Sequence, residues 1–223
     1  MNFVEYPDRD LMMLDLANTL TGNLAEALRL NERATLCVPG GTTPGPIFDV
    51  LCEQALDWDR VWVVLNDERW VDESNARSNT AMLRKKLLIS NASRATLIPL
   101  FKADVAAEDA ISDLAAGFDG HLPISVLLLG MGTDMHTASL FPGADNLAAA
   151  LASDAPVLMP MRADGAGEPR ITLTARVLND AMRKHVVITG AEKREALERA
   201  RHLPPEQAPI RAVLSDATVH WAE

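Results

Sequence analysis

The 223 residues suffice for one substantial hydrophobic core but are few for two ordinary domains, and an apolar content of 48% excludes a disordered chain. A formal net charge of −10 disfavours nucleic acid as a partner, since phosphate backbones need a basic face, but admits a small anion where a few cations converge. No apolar run approaches the roughly 20 residues that span a bilayer, so no membrane partner is expected.

The N-terminus, MNFVEYPDRDL, carries acidic residues where a secretory signal needs a basic flank and an apolar centre, so cytoplasmic residence is expected. Apolar residues at 11, 14, 17, 20, 24 and 28 predict a helix over 10–30. Ala34 to Val38 reads as a strand halted by Pro39-Gly40-Gly41, and 46–56 as a helix with proline early. Val61 to Leu65 is a buried strand ending at a charged turn, Asn66-Asp67-Glu68-Arg69. A helix over 80–88, a strand over 96–99 and a helix over 105–118 lead to a strand at 126–129.

Strands follow at 156–159 and 171–173, separated by a loop over 163–167. A helix over 175–182, a strand over 185–189, a charged amphipathic helix over 191–201 and a last strand over 218–221 complete the chain. Strands alternating with helices predict an α/β fold: a largely parallel, Rossmann-like open sheet flanked by helices on both faces, in one domain over 1–223. Cys37 and Cys52 have neither zinc-site nor redox-pair spacing and read as reduced core residues.

The chemistry concentrates where strands end. The apolar run Val126 to Leu129 breaks into Gly130-Met131-Gly132, followed by Asp134 and His136. In open α/β sheets, ligands bind beyond the carboxyl ends of the strands, so this pair sits where reactive groups are expected. Thr137-Ala138-Ser139 is expected to open a short helix that Pro142-Gly143 ends. Met135 stands where a GxGxxG fingerprint needs its third glycine, and Ser139 lies in no Gly-x-Ser-x-Gly elbow, so dinucleotide binding and a serine nucleophile are disfavoured.

The loop Pro39-Gly40-Gly41-Thr42-Thr43-Pro44-Gly45 offers backbone N–H groups and hydroxyls to an anion. Gly40 and Gly45 have Walker A spacing, but Pro46-Ile47 replaces the Lys-Ser/Thr and argues against a nucleoside triphosphate. Asp67-Glu68-Arg69, Arg170 and Lys193 each stand beside a strand end or glycine and together can supply the local cations. The histidines at 121, 136, 185, 202 and 220 show no metal-ligand spacing, so no metal is expected. Trp58, Trp62, Trp70 and Trp221 read as strand and core residues.

The blocks VPGGTTPGPIFDVL, LNDERWVDESNARSNTAML, LLLGMGTDMHTASLFPGA, PRITLT and ITGAEKR, in this order, resemble the 6-phosphogluconolactonase family. They extend from about Val38 to Arg194 and depart from the family's Asp-Gly-His at one position, Met135. The resemblance implies hydrolysis of 6-phospho-D-glucono-1,5-lactone to 6-phosphogluconate, the second step of the oxidative pentose phosphate pathway, without cofactor or metal. It also implies the fold shared with glucosamine-6-phosphate deaminases.

On this resemblance His136 would act as general base and Asp134 would orient it or polarise the site. Arg69 would stabilise developing oxyanion charge or hold sugar oxygens, and Asp67 would accept sugar hydroxyls. Gly41, Thr42 and Thr43 would cradle the 6-phosphate, with Arg170 and Lys193 neutralising it. A glucosamine-6-phosphate deaminase is the alternative, against which stand Arg69 in place of that family's tyrosine and Ser139-Leu140-Phe141-Pro142 in place of its Phe-Asn-Glu-Pro. A non-catalytic sugar-phosphate sensor is the other. The oligomeric state, monomer or small homo-oligomer, is left open.

Overall fold

The computed structural model of the chain describes residues 1–163 and 167–223. The loop expected over 163–167 therefore lies partly outside the described residues.

Among the described residues, ten strands and seven helices follow one another. They are β1 (Asn2–Glu5), α1 (Arg9–Leu30), β2 (Ala34–Val38), α2 (Gly45–Leu51), β3 (Val61–Leu65), β4 (Asp67–Arg69), α3 (Asn79–Lys86), β5 (Thr96–Ile98) and α4 (Ala107–Ala116). There follow β6 (Val126–Gly130), α5 (Leu147–Leu151), β7 (Leu158–Met161), β8 (Arg170–Leu173), α6 (Ala175–Asn179), β9 (Lys184–Thr189), α7 (Ala191–Ala200) and β10 (Thr218–Ala222).

Seven strands form one sheet in the order β1-β10-β9-β6-β2-β3-β5. Every pairing in it is parallel. All five residues of β2 are buried, so this central strand is covered on both faces, the burial that its apolar run requires. Helix α1 starts at Asp8, whose carboxylate accepts from Leu11 N at 2.7 Å. It buries Met12, Leu16, Leu20 and Leu24, a stripe at i, i+4 spacing. Each such aliphatic side chain contributes about 1.5–3 kcal/mol by leaving water.

Apart from the edge strand β1, which was not expected, the strands of the main sheet fall where the apolar runs predict them. Other expectations are corrected. The helix after β2 ends at Leu51 rather than 56, with Cys52 as its C-cap. The strand expected over 156–159 lies at Leu158–Met161. Asp67-Glu68-Arg69 is no turn: it is strand β4, which joins β8 and β7 in a second, antiparallel sheet. No helix forms at Thr137-Ala138-Ser139, because Ala138 has φ +50° and a Thr137–Leu140 bridge closes a tight turn there. No described helix is long and apolar enough to cross a membrane.

Candidate active site

β2 and β6 are neighbours in the sheet, and the chain leaves them toward opposite sides, β2 toward β3 and β6 toward β9. This switch point opens a crevice beyond the strands' carboxyl ends. A cleft of about 210 Å³ lies there, lined by Gly41, Thr43, Asp67, Arg69, His136, Arg170 and Lys193. Seven of the nine predicted site residues thus meet in one place. Thr42 is exposed beside it and its carbonyl accepts from Gly45 N at 3.2 Å, while Asp134 reaches the cleft through His136.

His136 is held by its own loop. Its Nδ1 lies 2.5 Å from Asp134 Oδ1, and its backbone N donates to the same oxygen at 3.2 Å. The pairing with an ionised carboxylate puts the ring proton on Nδ1 and leaves Nε2 as a lone-pair base. The hydrogen bond from His136 is the main cause holding the Asp134 carboxyl below its ordinary range. The Phe141 ring packs on the imidazole at a centroid distance of 4.4 Å. It also receives the Arg170 guanidinium, 5.3 Å from its centroid.

The loop turns sharply to bring Asp134 and His136 together. Gly132 N donates to His136 O at 3.0 Å, and Met135 N to Gly132 O at 3.0 Å. A β-carbon on Gly132 would overlap both the imidazole and the Asp134 carboxylate, so only glycine fits beneath the pair. Met135 itself has φ +68°, the left-handed region that the family's usual glycine enters without strain. Past the turn, Ser139 anchors the loop to the second sheet through Asp67 Oδ2 at 2.5 Å and Thr172 Oγ1 at 3.2 Å.

The cations arrive from three elements. Arg69 and Arg170 are direct partners in the β4–β8 register. Asp67 Oδ2 stands 3.5 Å from Arg170 Nη1, and both side chains are largely buried. Burial is the main cause pulling the Arg170 guanidinium below its ordinary range. Lys193, in the first turn of α7, is likewise pulled down by burial. Among the described residues it forms no ion pair with a carboxylate.

Sequence reasoning missed Asn66 and Asn79, both of which line the cleft. Asn79 carried a readable signal, the Ser78-Asn79 pair that caps α3, but not its contact with Arg69.

A parallel α/β sheet carrying a carboxylate-backed histidine and converging cations at its switch point defines an enzyme of small anionic substrates. The family model described as glucosamine-6-phosphate isomerases/6-phosphogluconolactonase matches residues 7–221, and the chain belongs to that family. A 6-phosphogluconolactonase of Mesorhizobium japonicum is 41% identical, covering 99% of this chain and 95% of the relative. One of Pseudomonas aeruginosa is 39% identical, covering 92% and 88%. The crystal structure of a 6-phosphogluconolactonase from Shewanella baltica superimposes with a TM-score of 0.96 at 30% identity, covering 100% of this chain and 98% of the other.

Proposed function

We propose that the protein hydrolyses 6-phospho-D-glucono-1,5-lactone to 6-phosphogluconate in the oxidative pentose phosphate pathway. Identity of 41% to a 6-phosphogluconolactonase, over 99% of this chain and 95% of the relative, carries this reading. The site chemistry fits it: a lactone carbonyl is already electrophilic and needs a base, a charge stabiliser and an anchor.

In the mechanism, water attacks the lactone carbonyl carbon while His136 Nε2 takes its proton. Asp134 keeps the Nδ1 proton in place and stabilises the imidazolium that forms, a role its 2.5 Å contact supports. Arg69 faces the alkoxide of the tetrahedral intermediate. As the intermediate collapses, the bond from the carbonyl carbon to the ring oxygen breaks and the imidazolium returns its proton to that oxygen. Asp67 accepts a sugar hydroxyl with the carboxylate capacity left by Ser139 and Arg170.

The 6-phosphate rests against Gly41, Thr42 and Thr43 and is neutralised by Lys193 and Arg170. Helix α2 has only seven residues, so the loop's own N–H groups and hydroxyls, not a long helix dipole, make the cradle. Lys193 is a desolvated cation without a carboxylate partner among the described residues, which suits it to a phosphate. Phosphate binding at one end holds the lactone carbon beside His136 at the other. The two free, buried cysteines, Cys37 and Cys52, fit a reducing compartment such as the cytoplasm.

The test is lactone hydrolysis corrected for the spontaneous rate. His136→Ala is expected to lose about 10²–10⁴-fold in kcat while still binding 6-phosphogluconate. Near-normal turnover of that variant would remove His136 from the base role. Equal kcat/KM on the unphosphorylated lactone would remove the phosphate anchor.

A further inference from the structure

We infer that Asn79, at the base of the cleft, is a positioning residue that sets the orientation of Arg69 for the lactone reaction. The inference rests on the role given above to Arg69. Asn79 is 2% exposed and opens helix α3. Its Oδ1 accepts from Arg69 Nη1 at 2.7 Å, and its Nδ2 donates to the Asp67 carbonyl at 3.1 Å. The two contacts fix the carboxamide in one sense. Turned over, its oxygen would face a carbonyl and its NH₂ a guanidinium.

The same Arg69 nitrogen donates to the Arg77 carbonyl at 2.7 Å. Both hydrogens of Nη1 are therefore committed to the protein. The guanidinium plane is fixed, and Nη2 is left for the site. Arg69 Nε is buried and has no hydrogen-bond partner among the described residues. A guanidinium locked in one plane, presenting Nη2 in a fixed direction, is what a developing oxyanion or a sugar oxygen would use.

Asn79 is itself held on two sides. Glu68 Oε1 accepts from Asn79 N at 2.8 Å and from Arg69 N at 2.7 Å. Glu68 Oε2 accepts from Thr80 N and Thr80 Oγ1, each at 2.7 Å. This fully buried carboxylate satisfies the first N–H groups of α3 and meets the positive end of its dipole. On the other side the carboxamide packs so closely on the β2–α2 loop that a β-carbon on Gly40 would overlap it. Asn79 thus joins the loop assigned to phosphate, the carbonyl of Asp67 and the guanidinium of Arg69.

A double-mutant cycle tests this. The kcat of Asn79→Ala is expected to fall about 10-fold or more with KM for the phosphorylated lactone changed little, because Arg69 acts on the developing charge and not on the phosphate. Adding Asn79→Ala to Arg69→Ala is expected to cause no further loss in kcat. Asn79→Asp keeps an oxygen for Arg69 Nη1 but loses the donor to Asp67. It is expected to recover most of the kcat while its Tm stays as low as that of the alanine variant, a separation that a merely structural residue would not produce.

Losses that multiply in the double variant, or an aspartate variant that fails in kcat together with alanine, would overturn the inference. Should alanine not fold, Asn79→Ser, whose shorter side chain does not reach Arg69 Nη1, takes its place in the same cycle. A parent protein without lactonase turnover would refute the functional reading itself, and is distinguished by being measured first.

Discussion

Arg69 and Arg170 stand directly opposite each other on the antiparallel β4–β8 ladder. Like charges so placed repel by a few tenths to about 1 kcal/mol. Arg69 adds to burial in pulling the Arg170 guanidinium below its ordinary range, while Asp67 counteracts it. A ligand that sets its phosphate against Arg170 and its carboxylate, formed from the lactone carbonyl, against Arg69 relieves the repulsion. We expect 6-phosphogluconate at about 100 times its Kd to raise the unfolding free energy by about 2.7 kcal/mol, read as an increase in Tm. No increase at millimolar ligand would show that these arginines do not form an anion site.

Arg170 and Lys193 are expected to separate when replaced in turn. Arg170→Gln removes the ion partner of Asp67, whose side chain is only 9% exposed, and leaves a buried carboxylate short of a cation. Such a loss costs about 3 kcal/mol when the pair is tight, and less at the 3.5 Å seen here. Lys193→Gln breaks no ion pair among the described residues, so its stability should stay within about 0.5 kcal/mol of the parent. Both should raise KM for the phosphorylated lactone. Urea unfolding beside steady-state kinetics reads both quantities, and equal destabilisation would contradict the assignment of a structural ion pair to Arg170 alone.

Gly132 is the tightest backbone position under the reacting groups. Gly132→Ala would push the imidazole and the Asp134 carboxylate away from their places. Displacements of about 1 Å at reacting groups cost on the order of 100-fold in rate. We expect that loss in kcat with a far-ultraviolet circular dichroism spectrum like that of the parent. Full activity would mean that the loop adopts another arrangement during turnover.

Met135 lies in the left-handed region, where a side chain costs about 1 kcal/mol or more relative to glycine. Its side chain also packs against the core, which returns part of that energy. Met135→Ala loses the packing and keeps the strain, whereas Met135→Gly loses the packing and relieves it. The glycine variant should therefore be more stable than the alanine variant by about 1 kcal/mol, the reverse of the order at helical positions. A chemical-denaturation series of the three proteins decides it. Alanine above glycine would refute the strain.

Most of the main sheet was legible because β2, β3, β6 and β9 are continuous apolar runs, the pattern of strands buried on both faces. Strand β4 was not. Its three residues are all charged, and it exists only because β8, a hundred residues later, pairs with it. Likewise the expected helix at Thr137-Ala138-Ser139 was defeated by backbone angles at Met135 and Ala138 that residue type does not reveal. The candidate site residues could be named from strand ends and resemblance. Asn79 could not, since its role comes from contacts with Gly40 and Arg69 across three separate segments.

A second polar chain, remote from these residues in the sequence, sets the response to acid. Tyr6 Oη meets Asp15 Oδ2 at 2.7 Å and His220 Nδ1 at 2.9 Å. His220 Nε2 meets His185 Nδ1 at 3.0 Å, and His185 Nε2 lies 2.8 Å from Asn23 Oδ1. Burial pushes both imidazoles down from 6.5 to about 4. Folding therefore favours their neutral forms, and between these values the unfolded chain binds more protons than the native one. Their contribution to stability is complete above about pH 6.5 and is lost as pH falls toward 4, by up to about 1.4 kcal/mol per pH unit per histidine. Urea unfolding at pH 7.5 and 5 should show a marked loss that His220→Gln reduces by roughly half. A parent whose stability is level across that interval would mean that the pair is already protonated or that it charges without penalty.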